Sequence, residues 1–205
     1  MMVVLADDQI FRFLKSGELI VHPILNANQQ IRGGRIDLRL DNVLYFIKRF
    51  EKEFYDPMAY IEKKPERYVE ERIIPYEGRF VLHPNDYALA PLFEFVRIPE
   101  NLVGRLDGRS SLGRLGVVVH STAGAVDPDY SGPLIMELMN HGMLPVVLYP
   151  LMRIATLTLL DLRGKARKYN GKYKGLKEFF GVESRLHEDE DLKAIARAKK
   201  KHDYL

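Results

Sequence analysis

Short apolar runs separated by turn residues fill the sequence between residues 79 and 160 and constrain the fold most strongly. Such runs lie at 80–82, 93–96, 134–139 and 154–160, with proline, asparagine or glycine between them. Successive short strands at a spacing of roughly ten residues are typical of all-β barrels and sandwiches. We therefore predict a mainly β fold, either a distorted β-barrel or a jelly-roll-like sandwich.

The segments on either side of this region predict helices and connecting chain rather than further domains. Residues 7–16 place apolar side chains at helical spacing behind two acids, and residues 188–201 predict a short charged helix. Residues 42–77 are charged, rich in tyrosine and broken by prolines, which indicates an insertion. Residues 164–205 form a polar closing segment with a charged tail. We predict one domain over residues 1–205, since a chain of 205 residues is long enough for one sizeable core and its length does not demand two domains.

What the composition lacks argues against several functional classes. The chain has no cysteine, so it can form neither disulfides nor the thiolate zinc site of the zinc-dependent deaminases. Its six histidines are never spaced as in HxH or HExxH, and we expect no metal site built from side chains. No apolar stretch approaches about 18 residues, and the N-terminus lacks signal-peptide features. The small net charge of +3 predicts no large nucleic-acid-binding surface. The lack of cysteine fits a reducing compartment, so we expect a cytoplasmic protein that does not bind membranes.

The segment 106–114 combines two arginines, two serines and two glycines. If a helix begins at Ser110, then Ser110 and Arg114 share one face and Arg109 lies beside the helix N-terminus. Free backbone N–H groups, hydroxyls and a guanidinium at one place are suited to a polyphosphate. A capped surface turn whose arginines form salt bridges explains the same residues, so both interpretations stay open at this point.

A lone carboxyl interrupts the apolar run 134–139. In a strand, Ile135, Glu137 and Met139 lie on one face, and the remaining apolar residues lie on the other. A glutamate among apolar neighbours is suited to hold and pass on protons near neutral pH. Two other arrangements remain open: Glu137 faces solvent at a strand edge, or it pairs with an arginine such as Arg114.

Residues 118–132 predict a strand, a bend of small residues and a turn. The Ala123-Gly124 pair exposes backbone that could hold a water or the edge of a base. Asp127 is suited to accept a hydrogen bond from a sugar hydroxyl or to orient a water. The same residues also suit an ordinary turn without a ligand, and a single histidine such as His120 is more typical of a hydrogen-bonded core residue.

Three motifs in combination give the sequence a specific resemblance. They are Gly108-Arg109-Ser110-Ser111-Leu112-Gly113-Arg114-Leu115-Gly116, then His120-Ser121-Thr122-Ala123-Gly124-Ala125-Val126-Asp127-Pro128, and then Ser131-Gly132 with Glu137. The chain thereby resembles the dCTP deaminase family of the trimeric dUTPase-like superfamily. Segments 16–20, 36–40 and 80–84 are also similar to the family, so the resemblance covers most of the chain outside 42–77.

The resemblance implies a distorted β-barrel, a homotrimer and active sites at the subunit interfaces. It also implies hydrolysis of the cytosine amino group without zinc. Glu137 would take a proton from a water that attacks cytosine C4 and would pass protons to N3 and the leaving amine. Ser110, Arg114 and the backbone of Ala123 would position that water and stabilise the developing charge.

The resemblance further assigns residues to the nucleotide. Asp127 would meet the deoxyribose 3′-hydroxyl, Tyr130 would lie against the sugar, and His120 would support the bend. The remaining residues implied to bind dCTP or dUTP are Arg109, Ser110, Ser111, Ile135, Tyr169 and Lys172. The triphosphate is expected to arrive as its Mg²⁺ complex. Leu151 and Leu176 depart from the family pattern, at the start of the last β run and in the closing segment.

Three functions therefore compete. The first is deamination of dCTP to dUTP, which Glu137 favours. The second is a bifunctional enzyme that continues to dUMP and pyrophosphate, or a dUTPase alone, which the setting of Asp127 favours. The third is a non-enzymatic trimer that binds nucleotide. The intact set Ser110, Arg114, Ala123 and Glu137 favours an enzyme.

Overall fold

The computed structural model describes residues 3–47, 55–61, 68–164, 166–173 and 184–202. The strands are β1 (Val3–Val4), β2 (Ile20–His22), β3 (Arg35–Arg39), β4 (Val43–Ile47), β5 (Val69–Ile73), β6 (Phe80–Leu82), β7 (Tyr87–Arg97), β8 (Leu102–Gly108), β9 (Val117–Val118), β10 (Ala125–Val126), β11 (Ser131–Asn140), β12 (Val146–Leu148) and β13 (Arg153–Asp161). The α-helices are α1 (Asp7–Ser16), α2 (Ala27–Gln30), α3 (Ser110–Gly113) and α4 (Glu190–His202), and 3-10 turns lie at Pro57–Tyr60 and Leu186–Glu188.

Two antiparallel sheets form the body of the protein. The β11 sheet has the order β5-β4-β7-β11-β9, with β2 also paired to β7. The β8 sheet has the order β1-β13-β8-β10, with β3 also paired to β13, and β6 and β12 form a separate pair. A bridge between Leu40 and Leu92 joins the end of β3 to β7. The two sheets therefore enclose one core, and the predicted mainly β, distorted-barrel fold is confirmed.

The strand alternation predicted around Glu137 is present in β11. Leu134, Met136 and Leu138 are buried in the shared core, whereas Ile135 and Glu137 are half-buried on the opposite face. Burial of an apolar side chain of this size contributes about 1.5–3 kcal/mol. A register slip of one residue would exchange the two faces, so the core fixes the face that Glu137 occupies.

The two predicted terminal helices are present as α1 and α4. Helix α1 buries Ile10 and ends at Gly17, whose φ of 77° is the left-handed cap that glycine adopts without strain. No helix in the described ranges is long and apolar enough to cross a membrane.

The described part of residues 42–77 is built into the β11 sheet. Strands β4 and β5 pair antiparallel at its edge, and β4 also pairs with β7. Residues 48–54 and 62–67 lie outside the described residues, as does Leu176. The single-domain boundaries and the insertion stay predictions.

Candidate active site

Main-chain groups hold the carboxyl of Glu137 in place. The backbone N–H of Ser121 donates to Glu137 Oε2 over 2.8 Å, and the N–H of Glu137 donates to the carbonyl of Val119 over 2.9 Å. Among the described residues, Arg114 forms no ion pair with it. Of the arrangements that the sequence left open, the structure thus shows a half-buried carboxyl that a backbone N–H orients.

Tyr87 of β7 lies near Glu137 and was missed from the sequence. Met139 pairs with Tyr87 and Glu137 pairs with Leu89, so Tyr87 is a diagonal neighbour of Glu137. Burial raises the pKa of the Tyr87 phenol, and the negative charge of Glu137 raises it further. Alternation along β7 could have placed Tyr87 on this face, but the strand pairing is not visible in the sequence.

The segment 117–126 crosses from one sheet to the other beside Glu137. It begins as β9, paired with β11, and ends as β10, paired with β8. At its bend, a Cβ on Gly124 would lie 3.2 Å from His120 Cε1 and 3.1 Å from the carbonyl oxygen of Leu106. A side chain at 124 would therefore be tight against His120 and the Leu106 carbonyl, and glycine leaves space for the His120 ring at the bend.

His120 and Ala123 occupy this bend, as the sequence predicted. The His120 ring is half-buried, and its Nδ1 atom is buried with no hydrogen-bond partner in the described part of the chain. Ala123 is exposed next to Gly124. The bend thus presents main chain and one imidazole between Glu137 and the β8 sheet.

The predicted polyphosphate loop follows β8 directly. Leu112 is buried and anchors α3, while the side chains of Ser110, Ser111 and Arg114 are exposed. These three side chains make no hydrogen bond or ion pair within the described ranges, which leaves their donors open to a ligand. The short helix α3 begins at Ser110, so the condition under which the sequence placed Arg109 beside a helix N-terminus is met.

Arg109 is part of a charged cluster that the sequence did not reveal. Its NH2 atom lies 3.8 Å from Asp37 Oδ2, and its NH1 donates to the carbonyl of Arg153 over 3.3 Å. Arg153 NH1 lies 2.9 Å from the same oxygen of Asp37. The local pattern predicts a half-buried strand with Asp37 on its charged face, whereas the structure buries Asp37.

The predicted sugar-binding residues also lie together. Asp127 is exposed at the end of β10, and Tyr130 is buried, with its hydroxyl donating to the carbonyl of Pro133 over 2.6 Å. The rings of Tyr130 and Tyr169 lie 5.7 Å apart between centroids, and the N–H of Tyr169 donates to the carbonyl of Pro128 over 3.1 Å. Burial raises the pKa of Tyr130.

The charge of Asp127 also acts on the phenol of Tyr169. Burial is the largest cause that raises the pKa of Tyr169, and the charge of Asp127 adds to it. The start of the closing segment thus packs against Pro128 and Tyr130, next to the exposed Asp127. Lys172 lies further along: its Nζ donates to the carbonyl of Arg185 over 2.9 Å and pairs with Asp189. In this conformation the C-terminal segment holds Lys172.

The described residues contain no group of three or more His, Asp or Glu that could hold a metal ion. The exposed hydroxyls and guanidinium of the loop after β8 suit the oxygen atoms of a phosphate group.

Comparison with known proteins decides the family. A family model described as dCTP deaminase-like matches residues 4–162 of this chain. The chain belongs to the dCTP deaminase-like family. This confirms the resemblance that the motifs around Ser110, His120 and Glu137 indicated.

Two relatives and one solved structure illustrate the similarity. A protein of Methanobrevibacter smithii named dCTP deaminase, dUMP-forming, is 37% identical over 198 residues, which are 94% of this chain and 100% of the relative. A protein of Haloarcula marismortui named dCTP deaminase is 40% identical over 175 residues, which are 85% of this chain and 89% of the relative. The structure of the 2′-deoxycytidine 5′-triphosphate deaminase of Agrobacterium tumefaciens superposes with a TM-score of 0.61 at 20% identity, over 78% of this chain and 49% of that one. This last match shows a shared fold.

Proposed function

We propose that this protein hydrolyses the 4-amino group of the cytosine ring of dCTP and releases ammonia and dUTP. The hydrogen bonding of the Glu137 carboxyl is the observation that carries this proposal. Its Oε2 atom accepts the Ser121 N–H, and its Oε1 atom has no hydrogen-bond partner among the residues described. A carboxyl with one oxygen oriented and the other open is suited to exchange protons with a bound water. Membership of the family and the names of the two relatives support the same activity.

In the proposed reaction, Glu137 takes a proton from water, and the oxygen adds to cytosine C4. The resulting tetrahedral carbon carries both the hydroxyl and the amino group. Glu137 delivers that proton to N3, then takes the proton of the C4 hydroxyl and passes it to the amino group, which leaves as ammonia while C4 retains the oxygen as a carbonyl. Ser110, Arg114 and the backbone of Ala123 are proposed to stabilise the charge that develops during addition. The base chemistry requires no zinc.

The exposed groups after β8 are proposed to bind the triphosphate, which arrives as its Mg²⁺ complex. Arg109, Ser110 and Ser111 offer a guanidinium and two hydroxyls there, and Lys172 and Tyr169 are proposed to reach the phosphates on closure. At the other end, Asp127 is proposed to accept the 3′-hydroxyl. The Tyr130 ring is proposed to pack against the deoxyribose. Ile135 is proposed to lie beside the base, and His120 is proposed to support the bend.

A second candidate is a bifunctional enzyme that goes on to cleave dUTP to dUMP and pyrophosphate. The relative from Methanobrevibacter smithii, named dUMP-forming, matches over its whole length, which favours this reaction. The exposed carboxylate of Asp127 beside the Tyr130 turn is the group proposed to orient the attacking water.

We further propose a cytoplasmic homotrimer in which a neighbouring subunit completes each site. The half-buried face of β11 supports this assembly, because Ile135 and Met139 lie beside Glu137 on a face that the core of the same chain does not cover. Light scattering at micromolar concentration tests the assembly: a trimer mass is expected, and a monomer mass would contradict it.

The activity is tested by incubating the protein with dCTP and Mg²⁺ and resolving ammonia, dUTP, dUMP and pyrophosphate. Ammonia with accumulating dUTP supports the first candidate, and ammonia with dUMP and pyrophosphate supports the second. Without ammonia, both are wrong. CTP is the matched control: we expect no ammonia from it, because the proposed Tyr130 contact leaves no space for a 2′-hydroxyl.

A further inference from the structure

One buried carboxylate bridges two guanidinium groups at the edge of the proposed triphosphate site. Asp37 Oδ2 lies 2.9 Å from Arg153 NH1 and 3.8 Å from Arg109 NH2. The Asp37 side chain is only 7% exposed, whereas those of Arg109 and Arg153 are 26% and 23% exposed. The carboxylate therefore lies beneath the two cations, and the solvent-facing side of the cluster is positive.

Three adjacent strands bring these residues together. Thr156 of β13 pairs with Asp37 of β3 on one side and with Asp107 of β8 on the other. Arg109 follows the end of β8, and Arg153 begins β13. A sheet is a rigid support, so the relative positions of the three charged groups are fixed by hydrogen-bonded strands and not by a flexible loop.

Buried polar side chains also hold the main chain around Asp37. The side-chain amide of Gln30 donates to the Asp37 carbonyl over 3.2 Å and to Glu94 Oε1 over 3.0 Å. The N–H of Arg39 donates to Glu94 Oε2 over 2.8 Å. Two buried polar side chains thus hold the main chain of β3 at Asp37 and at Arg39.

Arg153 keeps unused hydrogen-bond donors. Its NH1 atom serves both Asp37 and the carbonyl of Gln29, each over 2.9 Å. Its Nε and NH2 atoms have no partner within the part of the chain that the structure describes, and they are not buried. A guanidinium with a fixed orientation and free N–H groups is suited to bind phosphate oxygens.

We propose that Arg153 is a further polyphosphate-binding residue and that Asp37 is a positioning residue that holds Arg153 and Arg109 as a pair. This inference rests on the proposed function, since the polyphosphate is that of the nucleotide. Two guanidiniums repel each other at short distance, and a shared carboxylate offsets that repulsion while one net positive charge remains. The pair then meets the phosphates without having to be ordered on binding.

The test measures binding of inorganic tripolyphosphate by calorimetry, alongside KM and kcat for dCTP, in the full-length protein. We expect Arg153→Gln to weaken tripolyphosphate binding and raise KM by about tenfold, since a charge-assisted contact is lost. The value of kcat should stay close to that of the wild type, because the phosphates are bound alike before and during deamination. Arg12→Gln, which removes an exposed arginine of α1, is the matched control and should change neither tripolyphosphate binding nor the KM for dCTP.

Asp37→Asn distinguishes a role of Asp37 in positioning Arg109 and Arg153 from an effect of the net charge of the cluster. That substitution makes the cluster more positive, so electrostatics alone predicts tighter tripolyphosphate binding. Positioning predicts weaker binding, since Arg109 and Arg153 lose their shared anchor. If Asp37→Asn does not fold, as judged by its melting temperature, Arg153→Lys decides: it keeps the charge without the planar fork, and weaker binding is expected.

The inference is overturned if Arg153→Gln binds tripolyphosphate as the wild type does, or if Asp37→Asn binds it more tightly. These binding measurements need no turnover of dCTP. A protein that binds tripolyphosphate through Arg153 yet releases no ammonia would contradict the proposed function and leave the binding assignment standing.

Discussion

Glu94 is a fully buried carboxyl that should make the stability of the protein depend on pH. It is 0% exposed, and it accepts hydrogen bonds from the Gln30 amide and the backbone N–H of Arg39. Burial raises its pKa from the ordinary value of 4.5 to about 7, although the Arg39 N–H, the Arg39 charge and the Gln30 amide act in the opposite direction. Desolvation of the charged form therefore outweighs the local donors.

The direction of the effect follows from the raised pKa. Glu94 binds its proton more tightly in the folded state than in the unfolded state, so its contribution is fully present below pH 4.5 and is lost as pH rises to about 7. At 1.36 kcal/mol per pKa unit, this single group should lower the free energy of unfolding by about 3 kcal/mol across that window.

Glu94→Gln removes the titration and keeps the size of the side chain. At acid pH the variant should be less stable than the wild type by about 1–2 kcal/mol, because an amide N–H would then face the Arg39 N–H. As pH rises, the difference should shrink and reverse, with a total change of about 3 kcal/mol. Urea unfolding at several pH values, at one fixed protein concentration, measures this difference.

Met143→Gln is the control, because it introduces a glutamine at a side chain that is 90% exposed and changes no titratable group, so its stability should stay parallel to that of the wild type over the same pH range. A pH-independent difference in the free energy of unfolding between wild type and Glu94→Gln would contradict this prediction. It would mean that Glu94 has the same proton affinity in the folded and unfolded states, and that burial does not dominate its environment.

Two further predictions concern stability around the turn that ends β11. Asn140 is buried, and its side chain donates to the carbonyls of Leu82 and Leu144 and accepts from the Gly142 N–H. Asn140→Ala should lower the free energy of unfolding by about 3 kcal/mol, since buried partners are left unpaired. A loss below about 1 kcal/mol in urea unfolding would contradict this. Gly116 has a φ of +85°, and a Cβ there would lie 2.3 Å from the Gly142 nitrogen. Gly116→Ala should therefore lower the melting temperature strongly. Gly113→Ala is the control: a Cβ at Gly113 meets no atom within 4 Å, so the melting temperature should be nearly unchanged.

Local patterns in the sequence were sufficient for the elements whose burial follows strand or helix periodicity. The period of two in 134–139 correctly placed Glu137 on the face opposite Met136, because one face of a strand must meet the core. The residue types at Ser110 permitted a helix N-terminus, and the structure has α3 begin there, but the sequence left a surface turn open as well. Leu112 then anchors this helix in the core.

The charged clusters were not predictable in the same way. Asp37 is buried because Arg153, which lies 116 residues further along the chain, neutralises it. Glu94 lies within an apolar β run and is buried because Gln30, 64 residues away, bonds to it. Such partners come together only through strand pairing, and single-sequence periodicity carries no information about them. The proximity of Tyr87 to Glu137 depends on strand register in the same way.

Release of ammonia from dCTP measures whether Glu137 carries protons during deamination. We predict that the wild type releases ammonia from dCTP in the presence of Mg²⁺. Glu137→Gln should slow release by at least about 100-fold, because general acid–base catalysis by a positioned side chain is lost, while dCTP binding measured by calorimetry is retained. Near-normal ammonia release by Glu137→Gln would contradict the account.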